Sequence, residues 1–222
     1  VNKIIHQSYK TDDLNGTPFR SIWKESWLKE NPTWERRFWS DEDTESFIAE
    51  EYPEFYRDVW LEYDVNIKKW DSARTLILKR IGGVYADMDF ACLKPLDDLV
   101  KNLGNKFLIT TEGDIGNPQT LGNSFMACEP NCPFLDTIEE DFKKARFKHV
   151  LSSSACGFMT KRAKETGRGN QIYSPKSEWI FPLWWQDPRK PKYFNMPLEE
   201  IKKDFPESFA ISFFTGSWLN QY

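Results

Sequence analysis

Apolar residues recur along this chain at two intervals, and the switches between them set out the expected elements. Lys3-Ile4-Ile5-His6-Gln7-Ser8 predicts a buried first strand. Pro18 opens a helix through Trp23, Trp27 and Leu28, and Asn31-Pro32 ends it. Residues 35–39 predict a short strand. Ser40-Asp41-Glu42-Asp43 then caps a helix, with acids in the turn where the dipole favours them. A further helix follows Pro53. The strongest helical period covers 66–80, where Ile67, Trp70, Ala73 or Arg74, Ile77, Leu78 and Ile81 recur three or four apart until Gly82-Gly83. Val84-Tyr85-Ala86 is a short strand, broken by Asp87-Met88-Asp89 and closed off by Pro95. Strands are expected at 106–111 and 124–127, helices at 133–146 and 155–165, a loop-rich stretch at 174–197 and a last strand at 210–214. Helices alternating with short apolar strands predict an α/β fold with a mainly parallel, twisted sheet. No linker, repeat or low-complexity segment interrupts the 222 residues, so one domain is expected.

Composition narrows the function. Thirty Lys and Arg against 34 Asp and Glu leave a net charge of −4, which argues against a protein built to grip nucleic acid. No run reaches the ~20 apolar residues of a membrane span. Residues 1–10 carry no signal-peptide pattern. A soluble, cytoplasmic protein is expected, whether alone or as one domain of a longer chain. Cys92, Cys128, Cys132 and Cys156 are too scattered for a disulfide framework, and with only His6 and His149 no zinc constellation assembles; reduced, mostly buried thiols are expected. Aromatic residues reach 16%, which suits stacking on sugars or bases, although each ring taken singly is more often core.

The chemistry concentrates after the glycine pair. On an extended chain, residues two apart point the same way, so Asp87 and Asp89 present two carboxylates at the end of a buried strand. That edge is where ligands bind in open α/β sheets. Neighbouring carboxylates repel and lose hydration, and a hard divalent cation relieves both costs; oxygen ligands favour magnesium, manganese or calcium. Asp41-Glu42-Asp43 has the same spacing but opens a helix, and is read as a solvated cap. Asp71 and Arg74 share a helix face and form either a surface ion pair or a polar lining of the same edge.

These segments, taken in order, resemble the DXD-motif glycosyltransferases that include fungal initiating mannosyltransferases and bacterial capsule sugar transferases. The anchors are residues 3–11, Asn31-Pro32, Trp39-Ser40-Asp41, Asp71-Ser72-Ala73-Arg74, residues 82–89, Cys92-Leu93-Lys94-Pro95-Leu96, Asn123-Ser124-Phe125-Met126-Ala127 and Gly216-Ser217-Trp218. The absence of an anchor is also similar to the glycosyltransferase domains of large algal viruses, whose targets include capsid glycans. The resemblance implies a single GT-A domain, with a nucleotide-sugar and metal half at 1–110 and an acceptor half at 111–222. Asp87 and Asp89 would hold Mn2+ or Mg2+ across the donor diphosphate. Asp71, Arg74 and Tyr85 would contact the donor sugar, and His6, Gln7, Ser8 and Tyr9 would cradle the base. Ser217 and Trp218 complete the expected donor site. UDP-sugars carrying a hexose or deoxyhexose are favoured, with GDP-sugars also found in the family. The acceptor is a glycan or glycoprotein, and transfer retains configuration.

Two departures stand out. Ser212 occupies a position where relatives often carry a metal-binding histidine, and Ala155-Cys156-Gly157 replaces a Gly-Pro pair in a loop that borders the acceptor. Asp87, Asp89, Asp71 and Arg74 are expected to be essential, with no separate enzymatic nucleophile and with orientation the main contribution. Glu112, Asp114, Asn123, Trp184 and Trp185 are acceptor candidates; Glu112 and Asp114 also fit a solvated turn around Gly113, and the tryptophans fit core packing equally well. Two alternatives are a magnesium-dependent phosphohydrolase and a non-catalytic carbohydrate-binding module. Ala91 stands where the usual phosphohydrolase pattern wants Thr or Val, and a binding module leaves the coupling of the acids to Asp71 and Arg74 unexplained.

Overall fold

A computed structural model describes residues 1–112, 120–165 and 167–216, apart from the Glu165 side chain. In chain order it forms β1 (Ile4–Ser8), α1 (Ser21–Glu30), β2 (Glu35–Trp39) and α2 (Asp41–Glu51). A single turn, α3 (Pro53–Phe55), runs into a π-helical turn at Tyr56–Trp60 and is followed by α4 (Asn66–Ile81), β3 (Gly83–Ala86) and β4 (Phe90–Cys92). Then come α5 (Asp97–Val100), β5 (Phe107–Leu108), β6 (Phe125–Cys128), α6 (Ile138–Ala145), α7 (Val150–Ser153) and α8 (Cys156–Glu165). The chain closes with β7 (Ile172–Tyr173), α9 (Lys190–Phe194), α10 (Leu198–Asp204) and β8 (Ala210–Ser212).

The main sheet has the order β2-β1-β3-β6-β5-β7, and β4 pairs with β8 in a second, two-stranded sheet. β1 runs parallel to β2 and β3, β7 runs parallel to β5, and β6 lies antiparallel between β3 and β5. The mainly parallel α/β expectation therefore holds, with β6 the one reversed strand of the main sheet.

α4 gives the arrangement its direction. Its Leu76, Ile77 and Leu78 are fully buried, and its end is forced by the glycines that follow. Gly83 sits at φ +103°, and a Cβ there would lie 2.5 Å from the Ile4 carbonyl oxygen. Only glycine lets β3 turn this close to β1. The chain leaves β3 at Ala86, so Asp87-Met88-Asp89 emerges beside Ser8 at the end of β1.

Most of the aromatic excess is core. Trp23, Trp27, Trp34, Trp39 and Trp60 are buried, as are Phe90, Phe107, Phe125, Phe134 and Phe142. Several elements depart from the periodic expectation. The strand expected at 106–111 shortens to Phe107–Leu108, with only an isolated bridge from Thr111 to Leu121. The helix expected at 133–146 splits into a 3-10 turn at Pro133–Leu135 and α6, with left-handed Thr137 between them. Arg162 satisfies the carbonyls that the break leaves over, donating to those of Phe134 and Asp136. The loop-rich stretch holds the short α9, and α10 and β4 went unassigned. All four cysteines are free; three are buried and Cys156 is partly exposed.

Candidate active site

The ends of β1 and β3, one face of α4 and the α7–α8 corner enclose a cavity of about 430 Å³. That size suits a small ligand. At its centre Arg74 lies almost buried. Its Nη2 is 3.2 Å from Asp71 Oδ1, and its Nη1 is 3.1 Å from Asp87 Oδ1. Nη1 also donates to the Asn123 carbonyl oxygen at 3.1 Å, and the guanidinium stands 5.0 Å from the Tyr85 ring centroid. Burial works against the charge on Arg74, but Asp87, Tyr85 and Asp71 outweigh it and hold the group protonated. The fork is thus fixed between two carboxylates, a geometry lysine cannot reproduce.

The acids around it carry more negative charge than Arg74 offsets. Asp71 is buried and raised by that burial, against the pull of Arg74; Asn123 Nδ2 and Ser154 Oγ donate to it at 3.2 and 3.4 Å. Asp87 is raised by burial, opposed by Arg74 and by the Tyr85 hydroxyl, which donates to it at 3.0 Å. Asp89 is pushed up to about 6 by burial and then by the charge of Asp87, although the Thr215 amide donates to it at 2.8 Å. Glu112 is pushed up to about 7 by burial and by Asp87; Ser124 Oγ donates to it at 3.4 Å. A divalent cation fits this wall on its chemistry: Asp87 and Asp89 are hard oxygen donors that burial leaves costly to ionise together. Among the described residues no cluster of three His, Cys, Asp or Glu could hold a metal ion. The remaining positions on such a cation would go to water or ligand oxygens, as magnesium usually requires.

The expected residues divide clearly. Ser8, Tyr9, Asp71, Arg74, Asp87, Asp89, Glu112, Asn123 and Trp185 all line the cavity, and Tyr85 reaches it through the hydroxyl on Asp87. Asn123, an acceptor candidate in the sequence, lines the cavity and also braces Asp71 and Arg74.

His6 and Gln7 do not line the cavity. His6 is buried, its Nδ1 accepts from Trp39 Nε1 at 3.1 Å, and its Nε2 lies 2.9 Å from the Gly82 carbonyl oxygen. Burial lowers its pKa to about 4, so the ring is neutral and Nε2 donates. Gln7 donates to the Asp87 carbonyl oxygen at 3.3 Å and accepts from Arg36 at 2.7 Å, bracing the backbone from behind. Position along the strand separates them: His6 and Gln7 lie within β1, whereas Ser8 and Tyr9 stand at its end, where the cavity begins. Trp184 also lies off the wall. Asp114, Ser217 and Trp218 fall outside the described residues.

Some lining residues were not foreseen. Asp43 completes a capping box with Ser40, as a solvated cap should, but Asp41 turns onto the cavity wall near Lys10 and Thr44. Burial raises its pKa, opposed by Lys10. Ile67, Trp70, Asp71 and Arg74 share one face of α4, a spacing of three and four that signalled the wall as well as the core. Ser212, Ala155 and Cys156, the two departures from the related pattern, also line the cavity.

Residues 21–106 match the glycosyltransferase sugar-binding region containing the DXD motif. This stretch is similar to that family's defining region. Asp71, Arg74, Asp87 and Asp89 all lie within the DXD region so defined. Among curated proteins, mannosyl phosphorylinositol ceramide synthase SUR1 of Saccharomyces cerevisiae is 36% identical over 137 residues, which are 60% of this chain and 32% of that protein. Inositol phosphoceramide mannosyltransferase 1 of Schizosaccharomyces pombe is 32% identical over 138 residues, covering 61% of this chain and 40% of its own. An uncharacterized glycosyltransferase, L373, of Acanthamoeba polyphaga mimivirus is 31% identical over 138 residues, 62% of this chain and 54% of that protein. The chain thus spans about a third to a half of these relatives. Among solved structures, the glycosyltransferase GlyE of Streptococcus pneumoniae TIGR4 superimposes with a TM-score of 0.57 at 11% identity, over 96% of this chain and 54% of its own. The PaToxG glycosyltransferase gives 0.54 at 17% identity over 76% and 71%. The fold around the DXD region is the GT-A fold.

Proposed function

We propose that this chain is a metal-dependent glycosyltransferase that moves a sugar from a nucleotide-sugar donor to a hydroxyl of a glycan or glycoprotein, with retention of configuration. The observation that carries this reading is Arg74 clamped between Asp71 and Asp87, with Asp89 beside them, in one cavity at the end of β3. Mn2+ or Mg2+ would be held by Asp87 and Asp89 and would act as a Lewis acid for the departing diphosphate. Arg74 faces the same oxygens with a fixed positive charge and needs no rearrangement during transfer. Asp71, held by Asn123 and Ser154, is placed to accept hydrogen bonds from sugar hydroxyls. Tyr85, anchored by Ser8 Oγ at 2.8 Å, fixes the orientation of Asp87. Residues 1–110 supply the donor and metal side in this reading, and 111–222 the acceptor side.

Uridine is slightly favoured from the sequence because few acidic contacts are obvious near the loops. Asp41 on the wall weakens that preference: its carboxylate can accept from the paired N–H donors of guanine as well as from the single imide N–H of uracil. Relatives named as mannosyltransferases make mannose the first sugar to test. The experiment incubates the protein with Mn2+ and a panel of UDP- and GDP-sugars and measures nucleoside diphosphate release. Release that disappears in Asp89→Asn with the fold intact supports transfer. Inorganic phosphate as the product would point to a phosphohydrolase, and sugar binding without turnover to a carbohydrate-binding module; either outcome overturns the reading.

A further inference from the structure

The rim of the cavity carries a surface that donor chemistry does not use. From the last turn of α6 into α7 the chain reads Lys143-Lys144-Ala145-Arg146-Phe147-Lys148-His149-Val150-Leu151. In a chain of net charge −4, these nine residues hold four Lys and Arg and no acid. Phe147 is 70% exposed, the most exposed large apolar side chain among the described residues, and Leu151 is 43% exposed. Lys144, Lys148 and His149 are exposed on either side of the ring.

The ridge is built, not loose. Phe142 and Ala145 are buried beneath it, Lys68 Nζ donates to the Arg146 carbonyl oxygen at 3.0 Å, and Lys148 N donates to the Ala145 carbonyl oxygen at 2.8 Å. Arg146 lies over the Phe147 ring, 4.4 Å from its centroid, and donates to the Lys143 carbonyl oxygen, so it backs the exposed ring. Lys143 is held by Asp58 at 3.0 Å, and Lys144 is 3.9 Å from Asp141. Lys148 and His149 form no ion pair among the described residues. The acids of α6, Glu139, Glu140 and Asp141, occupy its opposite end, where Lys79 and Arg162 take Glu139 and Asp141. At the end of the ridge, Val150 and Leu151 line the cavity, as do Ile67 and Trp70.

We infer that this ridge docks the protein onto an anionic phospholipid surface, seating the cavity mouth at the bilayer. An exposed phenyl ring among lysines and arginines matches the boundary between acyl chains and phosphate headgroups. Two apolar side chains bury far too little to hold a folded protein partner. The consequence for acceptor choice rests on the transferase reading, because it makes a lipid-borne hydroxyl reachable; the docking itself does not depend on that reading.

The experiment is flotation of the intact protein with vesicles of phosphatidylcholine alone and with roughly 30% phosphatidylserine added, at low and physiological salt. Wild type floats with the anionic vesicles, less so as salt rises, and not with the neutral ones. Each cation near the surface is worth about fivefold in partitioning, so Lys144→Glu with Lys148→Glu lowers binding by at least about 25-fold. Phe147→Ala lowers it while leaving folding unchanged, since the ring is exposed. Nucleoside diphosphate release from soluble donor stays at the wild-type level in both variants, which separates failure of docking from failure of the transferase reading. No flotation of wild type, undiminished flotation of the variants, or equal capture by soluble polyglutamate overturns the inference.

Discussion

Glu112 offers a direct measure of how much the cavity strains its own acids. Its carboxyl moves from 4.5 to about 7, first through burial and then through the charges of Asp87 and Asp89. A group whose folded pKa is raised holds its proton more tightly in the native state, so ionisation costs stability. The cost is absent below about 4.5, grows between 4.5 and 7, and is fully present above 7. The whole shift corresponds to at most about 3.5 kcal/mol. Solvent entering the cavity screens part of it, and about 1–2 kcal/mol is expected. Glu112→Gln keeps the shape beside Gly122, where even a Cβ would come within 2.3 Å of the Glu112 side chain, and removes the charge. The variant should melt about 3–6 °C above wild type at pH 8 and level with it at pH 4.5, read by thermal denaturation across that range. Added Mn2+ should shrink the gain at pH 8, because a cation beside Asp87 and Asp89 offsets the repulsion that Glu112 feels. A gain independent of pH, or a loss at pH 8, would show that Glu112 is not under electrostatic load.

Arg74→Lys keeps the charge but loses the fork, leaving Asp71 or Asp87 unpaired; donor turnover should fall about 100-fold and urea stability by about 3 kcal/mol. Unchanged turnover would remove Arg74 from the site. Gly83→Ala must hold φ near +103° with its Cβ against the Ile4 carbonyl, and should cost about 2 kcal/mol or more in denaturant melts; a cost under about 0.5 kcal/mol would mean the β1–β3 junction gives way easily. The His6 ring should show no titration by NMR between pH 5 and 8, because burial holds its pKa near 4. Its contribution to stability is present above about 6.5 and fades as pH falls towards 4.

How far the sequence could be read followed the range of the forces involved. Elements governed by local periodicity, such as α4 with its glycine stop and the capped α2, were legible because their signals lie within one or two turns. The split at Thr137 was not, because the partner of its freed carbonyls, Arg162, lies about 25 residues away in sequence. β4 was hidden for a related reason: three apolar residues after Asp89 become a strand only because β8, from the far end of the chain, pairs with them. The acids of the site were visible through context, a strand end after paired glycines. Asp41 was missed because its sequence context matches a solvated cap, and only the approach of β1 and Lys10 turns it into a wall.

His6 shows the reverse case, in which a chemically capable side chain close to the motif is spent on structure. The hydrogen bonds that neutralise it tie β1 to the Gly82 carbonyl and to Trp39 on β2, and so fix the end of β1 relative to the start of β3. Gln7 does the same one residue on, gripping the Asp87 carbonyl while Arg36 holds its other end. The cavity concentrates four acids around one arginine, and nothing local to Asp87 or Asp89 favours that crowding. The backbone at Asp87 and at the start of β3 is held from behind by Gln7 and His6, whose side chains do not line the cavity. Loosening that support should therefore relax the raised acid pKa values towards their ordinary range before the fold is lost. The same pinning makes the site a standing electrostatic deficit, which a bound cation or the positive end of a ligand can relieve without rearranging the chain.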